Sequence, residues 1–458
     1  MKKECIAVVG LGKLGLCLAL VLADRGYYVT GIDTDLRKIE TISRGKSPIY
    51  EPGVVHLLYK NRKWLSVSSN FNPIKDCHTT FVIVPTPSER SGEFSLHFVE
   101  KAMREIGKIL SNTQGYRLVV LTSTVMPGSM KNVVQPVLEE ASGKKCGKDF
   151  GLCYNPEFVA LGDVVRGMSA PDLILIGESD KRAGNILERV QRRICKNSPK
   201  VERMNFVNAE LAKISINSFV TMKMSFANSL AEICEKIPGG NADLVTKAIG
   251  QDRRIGSSYL KGALGYGGPC FPRDNLAFAA YAERVRAQGK LALATHQVNS
   301  WQVRRIIERL EAEGIAPPLK ISVLGLTYKP NTDVTDSSQA YLLALLLAKR
   351  GFEVHVYDPA INSSSIIGKG SGLISETRLD DCIRKSDVCI IATPWKIFTK
   401  INKIEFRNKI VFDCWGLFQE IPEASRLLKI GQYSPEALSI AVKELRRKIQ
   451  ETRIVIES

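Results

Sequence analysis

The chain opens on an apolar run, Cys5 to Gly10, that leads straight into Gly10-Leu11-Gly12-Lys13-Leu14-Gly15 and then into the helical pattern Leu16 to Asp24. No other feature narrows the possible folds as much. A short run without polar interruption suits a strand covered on both faces, as in a parallel sheet. Three glycines at this spacing permit a tight turn, a close backbone approach to a ligand, and close packing of helix on strand. Gly26 ends the helix, and Tyr27 to Asp33 reads as the second strand. An acid at the end of that strand completes the dinucleotide fingerprint, with the pyrophosphate on a helix N-terminus and a carboxylate on the adenosine ribose. Gly10, Leu11, Gly12, Lys13, Leu14, Gly15 and Asp33 are therefore candidate cofactor contacts. The charge of Asp33 opposes a 2′-phosphate and favours NAD; Arg37 and Lys38 nearby leave NADP open.

Further strand-like runs occur at Thr80 to Val84, Arg117 to Thr122 and Leu173 to Gly177, with helical patterns between them. This alternation predicts a doubly wound parallel sheet. From Phe206 to about Ile237 the pattern becomes one long helix. Leu211, Ile214, Val220, Phe226, Leu230 and Ile233 are among its apolar positions, and a polar stripe, Lys213, Asn217, Thr221 and Ser225, follows at four-residue spacing. Such a stripe either faces water or lines a site. Pro238-Gly239-Gly240 stops the helix, more helices run to about Glu313, and Pro317-Pro318 marks a boundary. The opening pattern then returns. Leu342 to Asp358 parallels Leu18 to Asp33, down to the terminal aspartate. The loop after the strand Ile321–Gly325 is Leu326-Thr327-Tyr328-Lys329-Pro330, without the second and third glycines, so a second dinucleotide is not expected. The segment after about Gln432 is basic and weakly patterned.

Composition adds limits. Hydrophobic content of 44% and charged content of 24% are those of a soluble globular chain. The formal charge of +17 is spread along the chain. It predicts attraction for anions such as nucleotide phosphates and no specific nucleic-acid site. The eleven cysteines form neither a short-spaced disulfide framework nor a zinc motif. Reduced thiols in the cytoplasm, and no metal, are expected. The N-terminus shows no signal-peptide pattern, and the most apolar helix, Tyr341 to Ala348, is too short to span a membrane.

The run Gly265-Tyr266-Gly267-Gly268-Pro269-Cys270-Phe271-Pro272-Arg273-Asp274 delivers one cysteine to the predicted start of a helix. The positive end of the helix dipole favours a thiolate there. Alone, Cys270 also fits a small buried residue beside a turn. Beside a dinucleotide signature it suggests oxidation through a covalent thiohemiacetal. Lys213 follows Glu210 by three residues. It reads either as half of a surface ion pair worth about 0.2–0.5 kcal/mol or as an ammonium aimed at a developing oxyanion. Glu157, in Asn155-Pro156-Glu157-Phe158, reads as a solvated loop carboxylate or as a base for water.

Together these residues resemble the UDP-glucose/GDP-mannose dehydrogenase family. The likeness runs from Ile6 to about Phe418. It rests on the glycine fingerprint, Gly45-Lys46-Ser47-Pro48-Ile49-Tyr50-Glu51-Pro52-Gly53, Pro85-Thr86-Pro87, Ser123-Thr124-Val125, Asn155-Pro156-Glu157-Phe158, Glu210-Leu211-Ala212-Lys213 with Asn217, Arg254-Ile255-Gly256, and Gly267-Gly268-Pro269-Cys270-Phe271-Pro272-Arg273-Asp274, in that order. The resemblance implies an NAD-dependent, two-step oxidation of the C6 alcohol of a nucleotide sugar. Cys270 matches the nucleophile, Lys213 and Asn217 the oxyanion and proton-transfer pair, and Asp274 a carboxylate beside the lysine. Glu157 and Thr124 match residues that position and activate water. Cofactor contacts by position are Gly10 to Gly15, Asp33, Lys38, Pro85, Thr86, Ser123 and Thr124. Glu157, Phe158, Lys213, Asn217, Lys261, Gly265, Tyr266, Gly267 and Lys329 match substrate contacts, and Arg254 an arginine that reaches a neighbouring subunit's site.

The expected architecture is α/β: two doubly wound Rossmann-like domains joined by a long central helix and a helical dimerisation core. The expected boundaries are 1–203, 204–316 and 317–458, in a homodimer or higher homo-oligomer. UDP-glucose is the first expected substrate, with a UDP-N-acetylhexosamine or GDP-mannose as alternatives. A single-hydride 3-hydroxyacid dehydrogenase and a non-catalytic NAD and nucleotide-sugar sensor are the rival classes. Two departures from the family pattern stand out. Leu161 occupies the place of a second glutamate, and Val334-Thr335-Asp336-Ser337-Ser338 lacks an arginine that an Asp-Thr-Arg-Glu-Ser stretch would carry.

Overall fold

The computed structural model describes residues 4–362, 367–368 and 370–434. The chain forms two compact units, Met1–Ile216 with Ala277–Gly289, and Asn217–Leu276 with Lys290–Ser458. One division falls inside the helix Phe206–Glu235 and another inside the helix Phe271–Arg284.

The first unit holds eight strands: β1 (Cys5–Val9), β2 (Tyr28–Ile32), β3 (Leu65–Ser68), β4 (Thr79–Val82), β5 (Arg117–Leu121), β6 (Phe150–Tyr154), β7 (Leu173–Glu178) and β8 (Lys200–Met204). Their order is β3-β2-β1-β4-β5-β6-β7-β8. The first six strands follow the doubly wound Rossmann order. β7 runs antiparallel to β6, a reversal that the sequence pattern did not signal. Apolar residues line both faces of the sheet. Ile6, Val8 and Phe81 pack with the helix Lys13–Asp24 on one face, and Ala7, Val9 and Val82 with the helix His97–Ser111 on the other. This two-sided burial explains why the strands read as continuous apolar runs.

The second unit contains β9 (Lys320–Leu324), β10 (Glu353–Tyr357), β11 (Leu373–Ser375), β12 (Val388–Ile391), β13 (Ile410–Asp413) and β14 (Arg426–Lys429). These strands form an all-parallel sheet in the order β11-β10-β9-β12-β13-β14. The recurrence read in the sequence is thus a recurrence of winding. Asp358, counterpart of Asp33, accepts from the Leu326 N–H (2.7 Å), the Thr327 N–H (3.0 Å) and the Thr327 hydroxyl (3.0 Å), and is buried. Its loop closes over the carboxylate that the first fold would offer to a ribose.

The helix Phe206–Glu235 has 30 residues and is about 45 Å long. Its polar stripe faces inward: Lys213, Asn217, Thr221 and Ser225 are all buried. Thr221 donates to the Asn217 carbonyl (2.9 Å) and Ser225 to the Thr295 carbonyl (3.1 Å). Two of the apolar positions named from the sequence face water, Phe226 at 53% and Ile233 at 52% exposed, and so does Phe219 at 59%.

Near its C-terminus this helix contributes Glu235 to a buried ionic cluster. Glu235 pairs with Arg305 and with Arg309 (2.6 Å) and accepts from the Gly431 N–H (2.7 Å). Glu313 pairs with Arg426 and accepts from the Ser434 hydroxyl (2.9 Å). Charges this far from water are tolerated only while paired. Glu235→Ala leaves two buried guanidinium groups without that carboxylate. It is expected to cost about 3–5 kcal/mol, read as a lower urea midpoint with an unchanged slope.

Candidate active site

The first unit gathers its candidate residues at the C-terminal ends of its parallel strands, where open α/β sheets bind ligands. Gly10 follows β1 with φ +92°, and a Cβ there would lie 2.1 Å from the Ile83 carbonyl oxygen. A Cβ on Gly15 would lie 1.8 Å from the Gly10 oxygen. These two glycines are demanded by packing. Gly12 differs: a Cβ there meets nothing within 4 Å, so its surroundings are open. Gly12 caps the helix Lys13–Asp24 without a side-chain hydrogen bond, and no acid sits in the first turn. This open helix N-terminus, without an acid in its first turn, fits a pyrophosphate.

Asp33 accepts from the Leu11 N–H (2.8 Å), the Asp35 N–H (2.9 Å) and the Lys38 ammonium (2.8 Å). Burial alone would raise its pKa; the lysine and the two N–H groups outweigh it and hold the carboxyl below its ordinary range. Two further loops are tied together beyond β4 and β5. The Thr86 hydroxyl donates to the Thr124 carbonyl (2.8 Å), and the Ser123 hydroxyl donates to the Val84 carbonyl (2.6 Å). Pro85 lies between the two tied positions, Val84 and Thr86.

Glu157 follows β6. Desolvation pushes its carboxyl up to about 7, against the opposing charge of Lys213. Lys213 donates to the Glu157 carbonyl oxygen (2.7 Å), and its ammonium stands 4.8 Å from the centre of the Phe158 ring. The surface ion pair with Glu210 does not form. Glu210 turns inward and accepts from the Gly128 N–H and the Met130 N–H, both at 2.7 Å. Burial raises its carboxyl to about 7, with the two N–H groups acting in the opposite sense. Glu210 thus anchors the segment that follows Thr124. Leu161 packs against the apolar core where the family's second glutamate would stand. Its loop is held by buried Glu51, which accepts from the Gly162 N–H (2.8 Å) and the Val164 N–H (2.9 Å). Glu51 belongs to a motif quoted from the sequence, yet nothing local to it signalled partners more than a hundred residues away.

The second unit carries the cysteine. Cys270 is exposed and immediately precedes the helix Phe271–Arg284, and its carbonyl accepts from the Asp274 N–H (2.8 Å). Asp274 is 1% exposed and accepts from the Asn217 amide at 2.6 Å. Its other oxygen lies 3.5 Å from Arg273 Nε and has no hydrogen bond. The loop before the cysteine, including Gly265, Tyr266 and Gly267, is buried. A Cβ on Gly267 would lie 2.4 Å from the Ser337 oxygen, and one on Gly268 would lie 2.6 Å from the Tyr328 ring. The Gly268 N–H donates to the Asp336 carbonyl (2.9 Å). The second departure from the family pattern therefore packs on the glycine loop through its backbone. Lys261 is half-exposed near Asp243 (3.9 Å), and Lys329 is half-buried. Arg254 extends into solvent, 88% exposed, and pairs with Asp252 (2.6 Å).

Three family models match the chain: the NAD binding domain of the UDP-glucose/GDP-mannose dehydrogenase family over residues 4–195, its central domain over 207–301, and its UDP binding domain over 322–420. The chain belongs to the UDP-glucose/GDP-mannose dehydrogenase family. Its enzymes are NAD-dependent nucleotide-sugar 6-dehydrogenases, and so is this chain. The UDP-glucose 6-dehydrogenase AglM of Haloferax volcanii is 32% identical over 415 residues, 89% of this chain and 96% of the relative. The GDP-mannose 6-dehydrogenase of Pseudomonas aeruginosa is 31% identical over 422 residues, 89% of this chain and 95% of the relative. In structure, the chain is similar to a UDP-glucose dehydrogenase from Pyrobaculum islandicum, with TM-score 0.85 and 30% identity over 94% of this chain and 98% of that one. No helix among the described residues is long and apolar enough to cross a membrane.

The two raised carboxyls carry a sign. Their folded pKa of about 7 exceeds the reference 4.5, so the native state holds protons that the unfolded chain has released. Each group therefore lowers stability as pH rises from about 4.5 to 7. Relative to the native chain, Glu210→Gln should gain stability between pH 5 and pH 8, measured by urea unfolding at the two values.

Proposed function

We propose that this dehydrogenase oxidises C6 of UDP-glucose to the carboxylate through a covalent intermediate on Cys270. The observation that carries the reading is the exposed Cys270 thiol at a helix start, one turn before a buried Asp274 held at 2.6 Å by Asn217. A sensor or a single-hydride enzyme has no use for that thiol. Bound NAD would supply the hydride acceptor for each of the two oxidations, held by the Gly10–Gly15 cradle, Asp33, Lys38, Pro85, Thr86, Ser123 and Thr124. Among the chain's own groups, the Cys270 thiolate adds to the aldehyde carbon and forms a C–S bond, while Lys213 and Asn217 stabilise the oxygen that becomes negative. Loss of the second hydride turns the thiohemiacetal into a thioester. Glu157, in its basic form above about pH 7, takes a proton from water. Water oxygen bonds to carbon, the C–S bond breaks, the thiolate returns, and the product leaves as a carboxylate. Phe158, Lys261, Gly265, Tyr266, Gly267 and Lys329 are proposed contacts to the nucleotide sugar.

UDP-glucose is put ahead of GDP-mannose because of the likeness to the Pyrobaculum UDP-glucose dehydrogenase, with TM-score 0.85. The three-part division at 1–203, 204–316 and 317–458 is kept as the functional description, with the middle part as the dimerisation element. Phe219, Phe226 and Ile233 recur every seven residues on one helix, and all are more than half exposed. Such a row suits the same row on a second copy. Eleven free cysteines suit a reducing compartment such as the cytoplasm.

A panel of UDP- and GDP-sugars, followed by NADH absorbance, tests the substrate. UDP-glucose should give the highest kcat/KM and two NADH per sugar consumed; one NADH per turnover would contradict the thiol mechanism. Arg254 tests the dimer. Its exposed guanidinium offers a planar fork for oxygen atoms of a neighbour's substrate. Inactive Cys270→Ala and Arg254→Ala chains, mixed under conditions of subunit exchange, should recover activity, because one site of each heterodimer is intact. Heterodimers that form and stay inactive would assign Arg254 to its own chain's site.

A further inference from the structure

We propose that Asn299 is a positioning residue that sets the place of the Cys270 thiol. The proposal rests on the reading of Cys270 as the nucleophile and names what holds it. Asn299 is 3% exposed and lies on the helix Lys290–Ala312, far in sequence from the cysteine. Its side-chain oxygen accepts from the Tyr266 N–H (2.7 Å), and its amide donates to the Tyr266 carbonyl (2.9 Å). One planar amide thus satisfies both main-chain groups of one residue, as a neighbouring strand would. Aspartate would offer two acceptors and apolar side chains neither group. The fit is close: a Cβ on Gly265 would lie 2.5 Å from the Asn299 oxygen.

Only Gly267, Gly268 and Pro269 separate Tyr266 from Cys270. The far end of Tyr266 is held too. Its hydroxyl accepts from Asn275 (2.9 Å), and Asn275 also donates to the Thr221 hydroxyl (2.7 Å). Asn275 follows Asp274 on the helix that starts after the cysteine. The loop from Tyr266 to Asn275 is therefore closed on itself across a phenol, and Asn299 fastens that closed loop to the helix Lys290–Ala312. The earlier part of the glycine loop has its own anchor, since the Asn228 oxygen accepts from the Ala263 N–H (2.9 Å). Loss of the Asn299 amide should accordingly free the cysteine end of the loop while Ala263 stays fixed. A displacement of about 1 Å at a reacting group can cost roughly a hundredfold in rate.

The test uses the full-length chain. Cys270 alkylation by iodoacetamide is followed by peptide mass against pH, alongside NADH kinetics, in the native protein, Asn299→Ala, Asn299→Asp and Cys270→Ala. Asn299→Ala should lose about tenfold or more in kcat. It should also change the alkylation rate of Cys270 and the pH at which that rate rises, with NAD affinity kept. A role in stability alone would lower the melting temperature and leave both alkylation readouts in place. An alkylation profile and a kcat like those of the native protein would overturn the proposal. Should the alanine variant not fold, Asn299→Asp keeps the volume and one of the two bonds, and the same comparison decides. Activity retained in Cys270→Ala would overturn the thiol mechanism itself, a result distinct from any effect at Asn299.

Discussion

A glycine-rich loop cannot fix its own position, because it has few side chains with which to hold on. The placement of Cys270 therefore depends on what surrounds Gly265, Tyr266, Gly267 and Gly268. The second unit supplies the grip from separate segments: the amide of Asn299, the amide of Asn275, the carbonyl of Asp336 and the ring of Tyr328. The glycines are needed because backbone and ring atoms come so close that a Cβ would overlap them. The same crowding fixes the loop once it has formed. The Cys270 thiol is thus carried on a backbone held by neighbours, and the exposed residues Pro269 and Cys270 project from a buried base.

The first unit solves a similar problem with buried carboxylates. Glu210 holds the segment after Thr124, and Glu51 holds the loop after Glu157. Each accepts two backbone N–H groups, so each replaces the water those groups would otherwise need. Desolvation is the larger influence on Glu210 and also on Glu157. In Glu157 it produces a group that changes protonation near neutral pH, which suits a base for water. Leu161 contributes packing, and the loop owes its position to Glu51 instead of to a second glutamate of its own.

The two windings were legible because each rests on local rules: apolar strands, a glycine turn, and an aspartate closing the second strand. The position of Cys270 before a helix followed from Pro272 and the apolar residues beyond it. What could not be read was orientation around the long helix. Its polar stripe turned inward, because Asn217, Thr221 and Ser225 bond to one another's carbonyls or to distant segments. Phe219 and Phe226 turned outward. Periodicity gives the faces of a helix, and only tertiary partners decide which face is covered. Glu210 and Lys213, three residues apart, likewise found partners far along the chain in place of each other. The antiparallel β7 and the clamp at Asn299 depend on such long-range pairing and left no local mark.

The most direct test of the covalent account is to catch the intermediate. Glu157→Gln should slow release of the thioester, since it removes the group proposed to take the proton from water. Acid quench during turnover with UDP-glucose and NAD, followed by peptide mass, should show the hexuronyl nucleotide attached to the peptide that contains Cys270. No adduct in that variant, with the sugar acid still formed at the native rate, would contradict the account.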